Sequence, residues 1–379
     1  CLQNNKKIKI GSQIMEDKNY SKGIFYILLF AAIILATVIL KITSSFFIPL
    51  TLALMLSFVF YPFVKNLTKF RIPWIVGIIL VVILAAAAFF IIGNLLVASC
   101  RTVLNAYPKY EARFTTVYSL IAEAFHIPFD ENSSLIINLW NSLGVRTFVQ
   151  NFALAASGYM FSTAKVILVI ALFIVFFLIE IRGMKEKVKT AFPEERLNRK
   201  IMFIITKTIA EVTRYISIKF LISFFTGLLV FLFCFIVGLD FAIIWGFLAF
   251  ILNFIPTFGS ILSWVLTTGF AVLQFYPSFG KILYVGIAVL AVNFILGNII
   301  EPRWEGSDLG ISPFLILVSL SLWGWLWGFI GMILAVPILV IIKIICENIQ
   351  ILNPIGVLLG NKTNFNNRKR KFSLFNRKN

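Results

Sequence analysis

At 379 residues, with 60% of them hydrophobic and 13% charged, the chain has too few polar groups to coat a soluble domain. Its mean hydropathy is +0.96, and its uncharged runs approach or exceed the roughly 20 residues a helix needs to cross a bilayer, whereas a transmembrane β-barrel would show short alternating segments and is excluded. The net charge of +18 does not point to nucleic acid, because the basic residues bunch at 6–22, 65–71, 182–219 and 362–378, beside the hydrophobic runs, in the pattern that sets membrane topology.

In chain order, the basic segment 1–22 is expected to be cytoplasmic, with Met15 a candidate start. Transmembrane helices follow over 23–99: one at 23–40, a second at 44–64 returning at Lys65, Lys69 and Arg71, and a third opening at Pro73. Residues 100–158 carry balanced charge and apolar residues at helical spacing, such as Phe114, Val117, Tyr118 and Ile121. They predict a small extracytoplasmic domain of short amphipathic helices. A fourth span is expected at 159–180. The segment 181–217 reads as an amphipathic cytoplasmic helix started by Pro193-Glu194-Glu195. It feeds the C-terminal transmembrane core, 218–347, and a basic cytoplasmic tail at 348–379 ends the chain.

Within that core, residues 241–280 hold no charged side chain, and the runs 241–273 and 313–346 are each too long for one span. Two architectures satisfy cytoplasmic termini: eight transmembrane helices, or six plus two re-entrant hairpins. Trp245-Gly246-Phe247 and Trp327-Gly328-Phe329 form a weak internal similarity, each followed by a proline (Pro256 and Pro337). Asp240, after Gly238, suits a helix N-cap.

The polar residues inside these runs are the candidate site. Pro256 removes a backbone donor and Gly259 supplies free dihedrals, so "ILNFIPTFGSIL" at 251–262 predicts a broken helix with Asn253 beside freed carbonyls. Irregular backbone survives in hydrocarbon only where it is buried or lines a polar cavity, and transporters place binding sites there. The alternative is a kink that serves packing alone. A second cluster, 293–313, holds Asn298, Glu301 and Asp308 as polar or ion-coupling candidates, with Pro302 and Gly306 shaping the connector. Mixed charge in a connector is also what a solvated loop shows. His126 is the only histidine, the four cysteines are scattered, and no metal, nucleotide or catalytic motif is visible.

Pro49 with Ala53 and Pro62, Ile72-Pro73, Phe192-Pro193-Glu194-Glu195-Arg196, Asn253-Phe254-Ile255-Pro256-x-x-Gly259, Asn298 with Pro302 and Gly306, Pro313, and Gly328-x-x-Gly331-x-x-x-Ala335-x-Pro337 occur in order over about 24–348. Together they resemble the autoinducer-2 exporter (AI-2E) family of bacterial permeases. The resemblance implies an inner-membrane secondary transporter without ATPase, usually of eight helices, forming homo-oligomers and exporting autoinducer-2. Other members of that family are linked to sodium or lithium exchange for protons. Two positions depart from the pattern: Ser260 stands where a proline often follows the glycine, and Ser312 where a histidine often precedes the proline.

The reading is therefore an all-α polytopic membrane protein that exports a small hydrophilic solute. Asn253, Pro256 and Gly259 shape the site, and Asn298, Glu301 and Asp308 line the pathway. Pro302, Gly306, Gly328, Gly331 and Pro337 act as structural hinges. The expected partners are the lipid bilayer, a small-molecule or ion substrate and further copies of the chain, with no nucleic acid. No cofactor or metal is expected beyond a possible coupling proton or sodium ion. A sodium/proton antiporter, and a non-transporting membrane scaffold using the 100–158 domain, are the alternative functions.

Overall fold

The computed structural model describes residue 24 and residues 27–124, 145–305, 310–349 and 352–360. The expected terminal segments 1–22 and 361–379, with Gly306 and Asp308, lie outside the described residues. Seven helices are long and apolar enough to cross a membrane, and their exposed side chains, such as Leu168, Phe235 and Leu283, are apolar. This is the surface of a chain whose solvent is lipid.

Helices α1 (Ile27–Ile42) and α2 (Ser44–Lys69) meet at Thr43, and α2 absorbs Pro49 and Pro62 without ending. Helix α3 (Trp74–Ala124) and helix α4 (Val145–Ala191) run for 51 and 47 residues. At 1.5 Å per residue each is about twice the thickness of the hydrocarbon core. The expected short helices of 100–158 are thus replaced by two spans that continue past the membrane. The reason is local: residues 100–124 contain no glycine and one proline, Pro108, so nothing there compels a turn. Residues 125–144, at the centre of the expected domain, lie outside the described residues. Helix α5 (Glu195–Val237) joins the amphipathic segment and the fifth span into one rod of 43 residues. It stops at Gly238, whose φ of +75° lets Leu239 N–H bond the Cys234 carbonyl at 2.8 Å.

Both overlong runs are hairpins. Helix α6 (Ala242–Leu252) has only 11 residues and cannot cross alone. Helix α7 (Phe258–Phe275) returns beside it, with Trp245 and Phe270 rings 5.0 Å apart and the Asp240 N–H donating to Gln274 Oε1 at 2.7 Å. Helix α8 (Phe279–Phe294) crosses back and continues through a π-helical turn, Ile295–Ile300, into Glu301–Glu305. Helix α9 (Pro313–Asn348) reverses at Gly328, at φ +63° and ψ −142°. Ser319 Oγ donates to the Ala335 carbonyl at 3.0 Å, although 16 residues of straight helix would hold them about 24 Å apart. Helix α10 (Asn353–Leu358) closes the open end of this hairpin, where Ser312 N–H bonds the Leu359 carbonyl at 3.2 Å.

Among the described residues, both overlong runs thus fold back on themselves, while α2 to α5 and α7 to α9 are the seven helices or helix pairs long and apolar enough to cross a membrane, and α1 is shorter at Ile27–Ile42. Pro337 lies inside the descending arm of α9, which it does not interrupt, so the chain reverses at Gly328 instead. The Trp-Gly-Phe similarity is not a structural repeat. Gly246 sits mid-helix, where its missing Cβ lets α6 press on the Gly227 carbonyl of α5, whereas Gly328 is a turn. One apolar core joins α5, α6, α7 and α8 through Ile222, Val230, Ala249, Ala271, Val285 and Val289, and another joins α2, α5 and α9 through Phe58, Val212, Leu334 and Val340. Ile255, in the turn of the first hairpin, packs on Leu320 and Ala335 of the second.

Candidate functional site

The site is built at the turn of the first hairpin, 253–257. Pro256 has no N–H to give the Leu252 carbonyl, and with Gly259 three residues on, the chain leaves the helix at Leu252 instead of carrying the proline inside it as α2 does. The chain turns by a γ-turn centred on Thr257, at φ +63° and ψ −57°, with Phe258 N–H on the Pro256 carbonyl at 2.7 Å. This conformation is rare for a residue with a Cβ. Gly259 makes the return possible: a Cβ there would lie 1.7 Å from the Leu252 carbonyl oxygen.

Asn253 is buried at this turn. Its Nδ2 donates to Ser223 Oγ of α5 at 3.0 Å, and its Oδ1 accepts a long contact from Ser260 Oγ at 3.5 Å. Asn293 of α8 donates from Nδ2 to the Ser260 carbonyl at 3.4 Å, while its Oδ1 has no partner. The π-helical turn inserts one extra residue per turn into α8 and re-aims the side chains beyond it. Glu301 thereby meets Lys219 of α5, with Nζ and Oε1 2.6 Å apart, the two side chains 14% and 6% exposed. Two charges held that far from water are sustained by each other, since either one alone would be strongly penalised.

These groups surround a cavity of about 380 Å³ lined by Lys219, Asn253, Ser260, Asn293, Asn298 and Glu301, with Trp264 on one wall. Asn298 and Pro302 are exposed at its rim. A charge-paired, amide-lined chamber with an aromatic wall can hold a small polar molecule by hydrogen bonds without demanding a net charge.

Of the residues singled out from sequence, Asn253, Pro256, Asn298, Glu301 and Pro302 share this cavity, and Gly259 shapes the turn beside it. Gly328, Gly331 and Pro337 lie in the second hairpin and do not line it. Gly306 and Asp308 fall outside the described residues. In sequence, Lys219 belongs to the basic run 182–219. Its one distinguishing mark is its place between Ile218 and Phe220, at the head of an uncharged stretch. Asp240 does not cap α6, whose N-cap is Phe241 with no side-chain bond. It binds Tyr110 Oη and Lys109 Nζ of α3 instead, the latter at 3.1 Å. Burial alone would raise the Asp240 pKa, but these two hydrogen bonds and the Lys109 charge outweigh it and hold the carboxyl below its ordinary value.

The sequence profile of the AI-2E family transporter matches residues 24–351. The chain belongs to the AI-2E transporter family. A protein of Borreliella burgdorferi, assigned to transport by its name, is 30% identical over 92% of this chain and 95% of its own length. A Haemophilus influenzae protein with the same kind of name is 30% identical over 88% and 96%. The AI-2 transport protein TqsA of Escherichia coli is 26% identical over 89% and 96%. AI-2E family membership, with these apolar helices, makes the chain a multi-pass bacterial membrane transporter.

Proposed function

We propose that the chain exports a small hydrophilic solute, resembling the autoinducer-2 signal, through the cavity at the α6–α7 turn. The observation that carries this reading is the chamber itself: three asparagines and one buried ion pair converge where a strained hairpin turn interrupts the bilayer-spanning fold. Amide groups can trade hydrogen bonds with hydroxyls and carbonyls, so the chamber suits an uncharged, oxygen-rich solute. The relative named for AI-2 transport supports the same solute class. Energy coupling belongs to the proposal too: Glu301 is the carboxylate through which a proton or sodium gradient would act, since binding either cation would release Lys219.

The test is flux of autoinducer-2 and other small polyhydroxylated solutes from proteoliposomes, with and without an imposed proton or sodium gradient. The wild-type chain is expected to move solute, and the double substitution N253A/P256A to abolish flux while the protein remains folded. Unchanged flux in the double variant overturns the reading.

A further inference from the structure

A line of polar side chains leaves the cavity along α7 and carries more than the cavity does. Ser260, Ser263, Thr267 and Gln274 recur at intervals of three, four and seven residues, which puts them on one face of that helix. Ser263 and Thr267 are buried, at 1% and 0% exposure, and their hydroxyl oxygens have no hydrogen-bond partner. Asn293 Oδ1, across on α8, is also buried without a partner, as is Thr268 Oγ1, beside Gly286. A helical hydroxyl has an easy local solution, the one Thr226 of α5 adopts by donating to the Ile222 carbonyl at 2.9 Å. Ser263 and Thr267 do not take it. Leaving a buried hydroxyl unsatisfied costs about 1–3 kcal/mol, so several of them along one seam mark a place whose partners come from elsewhere.

The seam has a direction. Ser260 lines the cavity. Gln274, at the other end of α7, receives the Asp240 N–H on Oε1 and donates to the Gly238 carbonyl at 2.8 Å. From Ser260 to Gln274 is about 21 Å of helix, most of the remaining hydrocarbon thickness. The far end is closed by the Trp245, Phe241, Phe270 and Tyr110 rings, with centroids 4.9–5.8 Å apart.

We propose that this face of α7 is the second half of the permeation pathway. Ser263 and Thr267, with Asn293 Oδ1, act as successive hydrogen-bonding stations for a hydrated, hydroxyl-bearing solute once the α7–α8 seam parts. The proposal rests on the export reading above and adds to it the route and the residues that hold the solute between chamber and exit. Positions with a hydroxyl suit an uncharged polar cargo, which needs its lost water bonds replaced in sequence and no counter-charge.

Cysteine accessibility tests this without knowledge of the solute. In a full-length chain with Cys1, Cys100, Cys234 and Cys346 replaced, single cysteines are placed at Ser263, Thr267 and, as a third reporter, Thr268. Leu178→Cys, in the fully buried contact between α2, α3 and α4, is the dry control. The reconstituted protein is treated with the anionic reagent 2-sulfonatoethyl methanethiosulfonate. The seam cysteines are expected to react at least about tenfold faster than Leu178→Cys, because the thiolate forms only where water reaches it. Reaction at the control's rate at all three positions overturns the pathway. If flux still depends on Asn253 and Pro256 in that case, the chamber stands and only the seam is discarded. Loss of that dependence with a reactive seam discards the chamber and keeps the route.

Discussion

Lys219 Nζ of α5 lies 2.6 Å from Glu301 Oε1, just past the π-helical turn of α8, and the two form the charged floor of the cavity. They stand 82 residues apart in sequence. Removing one partner leaves the other buried and alone, which typically costs about 3–5 kcal/mol. Glu301→Gln and Lys219→Met are each expected to lower thermal stability in detergent, read by fluorescence-detected size exclusion. The double variant K219M/E301M is expected to recover most of that stability and none of the flux. A double variant no more stable than the singles would show that the pair is not coupled.

Gly259 and the Leu252 carbonyl define the tightest turn in the site. Gly259→Ala puts a Cβ 1.7 Å from that oxygen, with backbone on both sides and nothing flexible to give way. Overpacking of this kind costs about 1–3 kcal/mol and more where the backbone must move. The expected result is a sharp loss of folded protein. Gly269→Ala, on the same helix with nothing within 4 Å, is the matched substitution expected to leave yield and melting temperature unchanged.

In the second hairpin, glycine and proline exchange the roles their reputations suggest. Gly328 holds φ +63° and ψ −142°, a region nearly closed to residues with a Cβ, so Gly328→Ala is expected to cost about 1–3 kcal/mol. Pro337 sits in intact helix, and Pro337→Ala is expected to be tolerated or mildly stabilising, since it returns an N–H to the ladder. Thermal melts of the two variants, side by side, decide the matter.

The contact of Asp240 with Tyr110 and Lys109 ties the extension of α3 to the open end of the first hairpin, opposite its turn, and Arg113 adds a 3.0 Å bond to the Tyr276 carbonyl. Because the Asp240 pKa is lowered in the folded chain, its contribution is present above the unfolded value of about 3.9 and is lost as pH falls through the folded one. Stability across neutral pH should therefore be insensitive to this group. Tyr110→Phe is expected to cost about 1 kcal/mol at pH 7, and Lys109→Ala less than about 1 kcal/mol, its ammonium being exposed. Melting temperatures of both variants at pH 7, at pH 4 and well below the unfolded carboxyl value test this: the Tyr110→Phe deficit should be the same at the first two and shrink only at the third.

The sequence by itself determined the solvent and the elements. Long uncharged runs admit nothing but membrane helices, since each backbone group must be paired within its own segment. It also marked the first break, because Pro256, which withholds a donor, stands three residues before Gly259, which frees the backbone, and the ordered motifs from Pro49 to Pro337 pointed to the family that the profile match then showed. What it left open were relations between distant segments. Straight, overlong helices and helices folded back on themselves share one hydropathy pattern, and only contacts such as Trp245 on Phe270 and Ser319 on Ala335 show that both runs fold back. Lys219 passes in sequence as one more basic residue of 182–219 because burial is a property of packing, and the carboxylate that holds it there arrives from another helix. Asp240 misleads for the same reason: its local sequence suits a cap, and a tyrosine and a lysine 130 and 131 residues away claim its oxygens first.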